Sequence, residues 1–197
     1  MSQRVFGYGS LVNSSTHPRN AQATGPVFLG GWRRLWAHHL ETANGSMCVL
    51  TIEPSTGAAV VGVLLDCDQS ALRELDLREQ GYERRALEVA YSESPSQRMA
   101  CITYVSMAAR GQPASREAPI WRSYLDCVLS GFLTLGGVAA LEEFIKTTGG
   151  WDGPILDDRV APRYSRHVKL SALEAGEIDE SLARHGLLGT LVRDFGA

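Results

Sequence analysis

Val5-Phe6-Gly7-Tyr8-Gly9-Ser10-Leu11, close to the beginning of the chain, is the stretch that says most about the fold. Its apolar residues run into two glycines that flank a tyrosine, a pattern typical of a buried strand that ends in a tight loop. Glycine lets the backbone turn sharply and approach a ligand closely, and successive N–H groups in such a turn can bind a carboxylate or an oxyanion. From the loop alone, an anion-binding turn and an ordinary connection between two strands are equally good interpretations.

The sequence divides into a β-rich first half and a helical second half. Periodicity and turn signals predict strands at residues 4–8, 27–40, 47–52, 59–65, 82–91 and 99–105. The third and fourth of these strands are predicted to form a hairpin with its turn at residues 53–57, and a polar turn containing Pro95 is predicted before the last strand. Residues 70–77 have helical spacing, with Asp68 or Ser70 as N-cap and Gly81 as the stop.

The second half of the chain is predicted to be mainly helical. Apolar residues recur with a 3.6-residue period, and helices are predicted at 120–135, 138–147 and 171–185. Gly136-Gly137 separates the first two helices, and Ser171 with Glu174 forms a capping-box pattern at the start of the third. The segment 151–169 is rich in Pro, Asp and Arg without a period, and irregular segments of this length are often functional. Strands followed by helices predict an α+β fold.

Length and composition describe an ordinary globular protein. The 197 residues are expected to form a single domain over 1–197, with a helical and irregular C-terminal extension from about residue 148. A formal net charge of −3 gives no electrostatic reason to expect nucleic acid or an anionic membrane as a partner. No apolar run is long enough to span a bilayer, and the N-terminus lacks the features of a signal peptide. A cytoplasmic location is therefore expected.

A second informative stretch is Leu75-Asp76-Leu77-Arg78-Glu79-Gln80-Gly81-Tyr82-Glu83-Arg84. Together with the glycine loop it resembles the γ-glutamylcyclotransferase family, whose relatives include the ChaC-type enzymes. Members open on a strand followed by Tyr-Gly-Ser and carry a catalytic glutamate in a Leu-Asp-x-x-Glu or Arg-Glu-x-Gly-Tyr context. The resemblance implies a small mixed or antiparallel sheet, curled towards a barrel, with flanking helices. It also implies release of 5-oxoproline from a γ-glutamyl amide, without a metal or a cofactor.

The resemblance places the catalytic glutamate on Glu79, with Glu83 as the fallback. Glu79 lies between a leucine-rich helix and Gly81, so its side chain can leave the helix end and enter a cavity. An apolar enclosure raises the pKa of a carboxyl group, as a general acid and base working near neutral pH requires. The competing interpretation is a solvated glutamate that pairs with Arg78 or Arg84.

The implied reaction needs no nucleophile from the protein. The free α-amine of a γ-glutamyl compound attacks the γ-carbonyl of the same molecule, a five-membered lactam forms, and the amine leaves. The protein has to supply a base for the ammonium proton, a folded substrate conformation and N–H donors near the developing oxyanion. Glu79 is the expected base, and the backbone of Tyr8, Gly9, Ser10 and Leu11 is expected to bind the substrate.

The resemblance continues more weakly to Asp158-Arg159-Val160-Ala161-Pro162-Arg163-Tyr164, which looks like a C-terminal Asp-Arg-x-x-Pro-x-Tyr element of bacterial members. Tyr164 is a candidate donor to a substrate carboxylate, and Arg163 or Arg159 is a candidate ion-pair partner for one. Two other interpretations compete with these roles. Tyr164 is then a packed aromatic beside a proline turn, and the segment 151–169 only straps the helices to the sheet.

Other patterns argue against other chemistries. Gly7-x-Gly9 lacks the third glycine and the later acidic residue of a dinucleotide-binding fingerprint. The histidines and cysteines lack metal-ligand spacing, so no metal site is expected. Four reduced core thiols are expected at Cys48, Cys67, Cys101 and Cys127. An aromatic and basic strand, of the kind common in cores and rims, is formed by Trp32, Arg33, Arg34 and Trp36.

The expected partner is a small-molecule γ-glutamyl substrate, with neither nucleic acid nor a membrane involved. The sequence leaves open whether the leaving group comes from a γ-glutamyl amino acid, a γ-glutamyl amine or glutathione, and it leaves the oligomeric state open. Two alternatives share the implied fold: a non-catalytic domain that binds a small ligand, and a domain related to the C-terminal part of allophanate hydrolase.

Overall fold

The computed structural model describes residues 2–91, 94–107 and 111–192, and its centre is a ring of five strands. The strands are β1 Gln3–Gly7, β2 Ala21–Thr42, β3 Gly45–Cys67, β4 Tyr82–Tyr91 and β5 Ser94–Ser106. They pair in the order β3-β1-β5-β4-β2, and β2 pairs again with β3, so that the sheet closes on itself like a small barrel. Only β1 and β5 run parallel within this ring, where Val5 lies beside Ile102. The predicted α+β class with a mixed, barrel-like sheet is confirmed.

The strands β2 and β3 form one long antiparallel ribbon, which turns at its tip between Thr42 and Gly45. Its largest irregularity lies where Gly30 pairs with Ala59 and Trp32 with Pro54, so residues 55–58 bulge out of the ladder. The hairpin predicted between residues 47–52 and 59–65 is therefore wrong. Both segments pair with β2, and this ladder keeps the chain running in one direction through the residues that were predicted to reverse it.

Short local signals predicted α1 and α3 well. α1 spans Gln69–Arg78, and the side chain of Asp68 accepts hydrogen bonds from the N–H groups at its start. α3 spans Ala172–Arg184 and carries the predicted capping box between Ser171 and Glu174. Gly81 follows α1 with a φ of +105°, a conformation that favours glycine and ends the helix as predicted.

The long helix α2, Arg122–Thr147, covers both predicted helices of this region except residues 120 and 121, which form a short strand. Gly136 and Gly137 have non-helical backbone angles, so the predicted break exists as a kink inside one element. With a mean hydropathy of 1.6 over its most apolar window, α2 is long and apolar enough to cross a membrane, which corrects the expectation that no run is. However, 56% of that window is buried inside this protein, as in the core helix of a globular fold. Its apolar side chains pack against those of the ring.

The segment 151–169 is largely irregular, as predicted. It contains only the two-residue strand β8, Ile155–Leu156, which lies between β6, Ile120–Trp121, and β9, Leu191–Val192, in a small parallel sheet. A further two-residue strand, β7, Thr148–Gly149, extends the main sheet along β2. All four cysteines are free and buried, in agreement with the expectation of core thiols.

The turn predicted between the last two long strands is only partly described. Residues 94–98 were predicted as turn and belong to β5. Residues 92 and 93, which connect β4 to β5, lie outside the described part of the chain.

Candidate active site

The turn that follows β1 and the C-terminal end of α1 border the same small cavity. Its volume is about 40 Å³, and its lining includes Tyr8, Gly9, Ser10, Leu11 and Glu79. We call it the Glu79 cavity. The fold thus brings together the whole predicted substrate-binding loop and the predicted catalytic carboxyl group, which are far apart in the sequence.

The shape of the loop follows from the glycine at the end of β1. A Cβ atom on Gly7 would lie 2.6 Å from the Cβ of Leu11, so only glycine lets the chain fold back this closely. The next residues form a single 3-10 turn, in which the N–H of Val12 donates to the carbonyl oxygen of Gly9 at 2.9 Å. The N–H groups of Ser10 and Leu11 precede this first bond, so the turn itself gives them no acceptor.

Glu79 is the C-cap of α1, and its N–H donates to the carbonyl oxygen of Leu75 at 2.8 Å. Its side chain is only 16% exposed, and Oε1 lies 3.1 Å from Nε of Arg78. Burial raises the pKa of Glu79 above its usual value, while the positive charges of Arg78 and Arg166 oppose this rise. Pairing with Arg78 was part of the competing interpretation, but most of the surface of both side chains is enclosed, whereas that interpretation expected a solvated pair.

Arg78, which the sequence suggested only as the partner of a solvated glutamate, is a further residue of this site. Its side chain is 8% exposed, and Nη2 donates to Oγ of Ser10 at 2.7 Å while Nη1 donates to the carbonyl oxygen of Thr16 at 2.8 Å. With Nε beside Glu79, one guanidinium group fastens the end of α1 to the glycine loop. Its position next to Glu79 was visible in the sequence, but nothing there distinguishes a buried arginine from a solvated one.

Three phenol groups, two of them buried and one partly buried, share a cavity with the carboxyl group of Glu79. They belong to Tyr8, Tyr82 and Tyr124, and all three line the Glu79 cavity. Tyr8 donates to the carbonyl oxygen of Tyr104 at 2.6 Å, and Tyr82 donates to that of Leu50 at 2.8 Å. Burial is the main reason that the pKa of each phenol is raised, and the charge of Glu79 contributes to the rise. These side chains are therefore neutral near pH 7 and form a wall of low polarity beside Glu79.

Tyr164 and Arg163 do not line the Glu79 cavity. They border a larger groove of about 520 Å³, which Arg78 and Arg166 also line and which we call the Arg163 groove. Tyr164 is buried and meets the ring of Tyr124 edge to face, with centroids 5.0 Å apart. Because Tyr124 lines the Glu79 cavity and Arg78 contacts Glu79, the two sites are neighbours.

The Asp-Arg-x-x-Pro-x-Tyr element fastens the segment 151–169 to α2. The buried carboxylate of Asp158 accepts hydrogen bonds from the N–H and the hydroxyl group of Ser123, at 2.7 and 2.6 Å, and from the N–H of Arg163 at 2.8 Å. Arg159 pairs with Asp126 and Asp179 at 2.7 and 2.9 Å. Two carboxylates thus already engage Arg159, as the strap interpretation requires.

The fallback carboxylate, Glu83, lies elsewhere. Its side chain is 47% exposed and pairs with Arg85 at 2.5 Å. Glu83 does not line the Glu79 cavity, whereas Glu79 does. Glu79, and not Glu83, is therefore placed to act in the Glu79 cavity.

A family model described as "Gamma-glutamyl cyclotransferase, AIG2-like" matches residues 5–123, which is more than half of the chain and includes both the glycine loop and Glu79. A solved structure of a γ-glutamyl cyclotransferase is 18% identical, with a TM-score of 0.61 over 91% of this chain and 99% of the other. An uncharacterized human protein is 19% identical, with a TM-score of 0.61 over 90% and 98%. The Bacillus subtilis protein YkqA is 18% identical, with a TM-score of 0.52 over 74% and 53%. No curated protein matches the sequence.

Proposed function

Because this chain belongs to the AIG2-like γ-glutamyl cyclotransferase family, we propose that it is an enzyme that releases 5-oxoproline from a γ-glutamyl amide. Family and fold support a cyclotransferase-like function. The observation that carries the finer proposal is the Glu79 cavity, in which a carboxyl group with a raised pKa lies beside a turn whose first N–H groups have no acceptor within the turn. The comparisons do not favour the alternatives, a non-catalytic ligand-binding domain and a relative of allophanate hydrolase.

The proposed reaction uses Glu79 twice. Its carboxylate first takes a proton from the α-ammonium group of the substrate, and the amine nitrogen then attacks the γ-carbonyl carbon. The oxygen of the tetrahedral intermediate becomes negative near the N–H groups of Ser10 and Leu11. The bond from the γ-carbon to the leaving nitrogen breaks as Glu79 returns its proton to that nitrogen, and the ring nitrogen gives up its second proton to become the lactam N–H. The leaving amine takes up this second proton, so the products are 5-oxoproline and an ammonium ion, and no proton is gained or lost by the protein over the cycle.

Arg78 has two consequences for this proposal. Its charge favours the ionised form of Glu79, which is the form that takes the proton, and its bonds to Ser10 and Thr16 hold the turn against the end of α1. The neutral phenols add no competing charge. A carboxylate in such an enclosure is a stronger base than one in water, which suits proton transfer from an ammonium group.

We expect the change Arg78→Met to move the acidic limb of the kcat/KM profile to higher pH. The folded-state pKa of Glu79 is already raised by burial, and removing the charge that opposes this rise makes it higher still. A higher pH is then needed before the carboxylate is ionised. The measurement is 5-oxoproline release as a function of pH, in which the position of the limb is independent of any fall in the maximal rate.

Two control variants make this test specific. Arg78→Lys keeps the positive charge and should leave the limb near its original position. Arg73→Met makes the same change to an exposed arginine on the same helix and should leave the whole profile unchanged. An acidic limb that stays in place in Arg78→Met would show that a group other than Glu79 sets it.

The Arg163 groove is the proposed site for the leaving group. It holds three arginines, Arg78, Arg163 and Arg166, next to the Glu79 cavity, and a guanidinium fork suits a carboxylate. We expect Arg163→Ala to raise KM about tenfold for a γ-glutamyl amino acid, which corresponds to about 1.4 kcal/mol, and to leave KM for a γ-glutamyl amine without a carboxylate unchanged. Steady-state kinetics with both substrates check this. An equal rise for both would remove the groove from carboxylate recognition.

A panel of γ-glutamyl compounds tests the proposed function as a whole. We expect at least one among γ-glutamyl amino acids, γ-glutamyl amines and glutathione to yield 5-oxoproline and the free amine in equal amounts. The same compound with its α-amine acetylated should be inert, because no nucleophile is left. Release of glutamate in place of the lactam, or no turnover by folded protein across the panel, would contradict the proposal. The cytoplasmic location and the absence of nucleic-acid and membrane partners stay predictions.

A further inference from the structure

Arg34 is a buried charge for which the proposed reaction has no use. It lies on β2, is 2% exposed, and forms no ion pair with a carboxylate among the described residues. One terminal nitrogen donates to the carbonyl oxygen of Val61, and the other lies 3.4 Å from Oγ1 of Thr148. Its Nε is buried and has no hydrogen-bond acceptor within the described parts of the chain. A buried cation without an anionic partner is unfavourable, so its presence needs a reason.

The guanidinium group lies at a pocket of about 220 Å³ between the barrel and α2. Its carbon Cζ is 4.9 Å from the ring centre of Phe132 and 4.6 Å from that of Phe144, two side chains that line this pocket. Phe28, Val61 and Leu135 also line it, so most of the wall is apolar. We call it the Arg34 pocket. None of the residues that line it lines the Glu79 cavity.

The kink in α2 helps to open the Arg34 pocket. Gly136, where the helical angles are interrupted, lines the pocket together with Leu135 before the kink and Ala140 after it. A Cβ on Gly136 would lie 2.9 Å from the Cβ of Ala140, so a side chain at this position would crowd the pocket wall. The two sequence features that the proposed reaction leaves unexplained, the Gly136-Gly137 break and Arg34, therefore meet in one place.

We propose that the Arg34 pocket is a second ligand site, which takes a small monocarboxylate with an aromatic or branched apolar body. The carboxylate supplies the anion that the guanidinium lacks. The apolar body contacts Phe28, Val61 and Leu135. The size fits, because a cavity of about 150 Å³ is enough for benzene, and this pocket has room for a ring with a short acid chain. Glu143 also lines the pocket and is exposed to solvent, which screens its charge.

The competing interpretation is that Arg34 is purely structural and that cation–π contacts with Phe132 and Phe144 stabilise it sufficiently. Burial lowers the pKa of Arg34 to about 9, so the side chain is still protonated at neutral pH and carries its charge in either interpretation. The two interpretations make different predictions for binding. A ligand site prefers a carboxylate over a neutral molecule of the same shape, whereas a structural arginine creates no such preference.

The test compares 3-phenylpropionate with 3-phenylpropanol by isothermal titration calorimetry on the full chain. We expect the acid to bind at least about tenfold more tightly than the alcohol, as a charge-assisted hydrogen bond to a buried arginine implies. Arg34→Met should abolish the preference, and an apolar pocket should tolerate methionine. Glu79→Gln should leave both affinities unchanged, which separates this site from the proposed catalytic one.

A second pair of variants keeps the test decisive if Arg34→Met does not fold. Ala140→Leu places a larger side chain in the pocket and should prevent binding of the acid while Arg34 is still present. Val138→Leu makes a comparable change at a partly exposed position of the same helix that does not line the pocket, and binding should persist. Equal affinity for acid and alcohol, no binding of either, or unchanged binding in Ala140→Leu would overturn the proposal.

Discussion

Replacing Glu79 with glutamine is expected to lower kcat by ~10² or more, the lower end of what general acid–base catalysis contributes. Glutamine keeps the shape of the side chain and a carbonyl oxygen for Arg78, but it cannot take a proton from an ammonium group. Arg78 also keeps its acceptors on Ser10 and Thr16, so the turn and the end of α1 stay together. The measurements are 5-oxoproline release at saturating substrate and thermal unfolding, and only the first should change greatly.

Glu83→Gln is the matched control for this experiment. Glu83 carries the same functional group four residues later, but it is half exposed and pairs with Arg85 outside the Glu79 cavity. We expect this variant to turn over substrate at the wild-type rate. A folded Glu79→Gln variant with wild-type kcat would remove Glu79 from the role of proton shuttle, and a slow Glu83→Gln variant would move that role to Glu83.

The second large effect concerns stability. Asp126→Ala is expected to lower the free energy of unfolding by about 3–5 kcal/mol, the usual result of breaking a buried ion pair from one side. Asp126 is 3% exposed and receives Nε of Arg122 at 2.8 Å and Nε of Arg159 at 2.7 Å. Without it, the one ion-pair partner left to the buried Arg122 among the described residues is Asp179, whose side chain is 41% exposed. Urea unfolding gives the loss directly.

Glu142→Ala is the comparison for this second effect, because Glu142 pairs with Arg184 and His185 where all three side chains are 30% exposed or more. Surface pairs of this kind contribute about 1 kcal/mol or less, so the loss should be small. KM should be unchanged in both variants, because Arg159 acts as part of a strap. A raised KM in Asp126→Ala, with normal stability, would instead mean that Arg159 acts on the substrate.

Signals that lie within one turn of the chain predicted the structure correctly. Asp68 caps α1, Ser171 and Glu174 form a capping box, and Gly136-Gly137 interrupts α2, because each of these effects depends on backbone groups a few residues away. The turn predicted at residues 53–57 is wrong because it, too, was inferred from neighbouring residues alone. Its residues favour a reversal locally, but pairing with β2 on both sides outweighs that preference.

For the candidate site, too, the sequence indicated some features and the fold alone shows the others. The family resemblance indicated that the glycine loop and Glu79 work together, but no local pattern shows that they border one cavity. The roles of Arg78 and Arg34 depend on burial, which comes from strands and helices distant in sequence, so no local pattern distinguished either arginine from a solvated one. The same limit applies to Tyr164, for which the sequence left a substrate-binding role and a packed aromatic open, and which the fold packs against Tyr124 at the wall of the Arg163 groove.

Val5 and Ile102 lie side by side in the barrel, although Ile102 is synthesised long after Val5. The β2–β3 ribbon and the β4–β5 pair connect strands that follow one another in the chain, so each can form soon after it is synthesised. β1 can join β3 early, yet its other edge stays unpaired until β5 exists. The turn at residues 8–11 also depends on β5, because the hydroxyl of Tyr8 donates to the carbonyl oxygen of Tyr104. The earliest-made residues of the site are therefore among the last to be fixed in place.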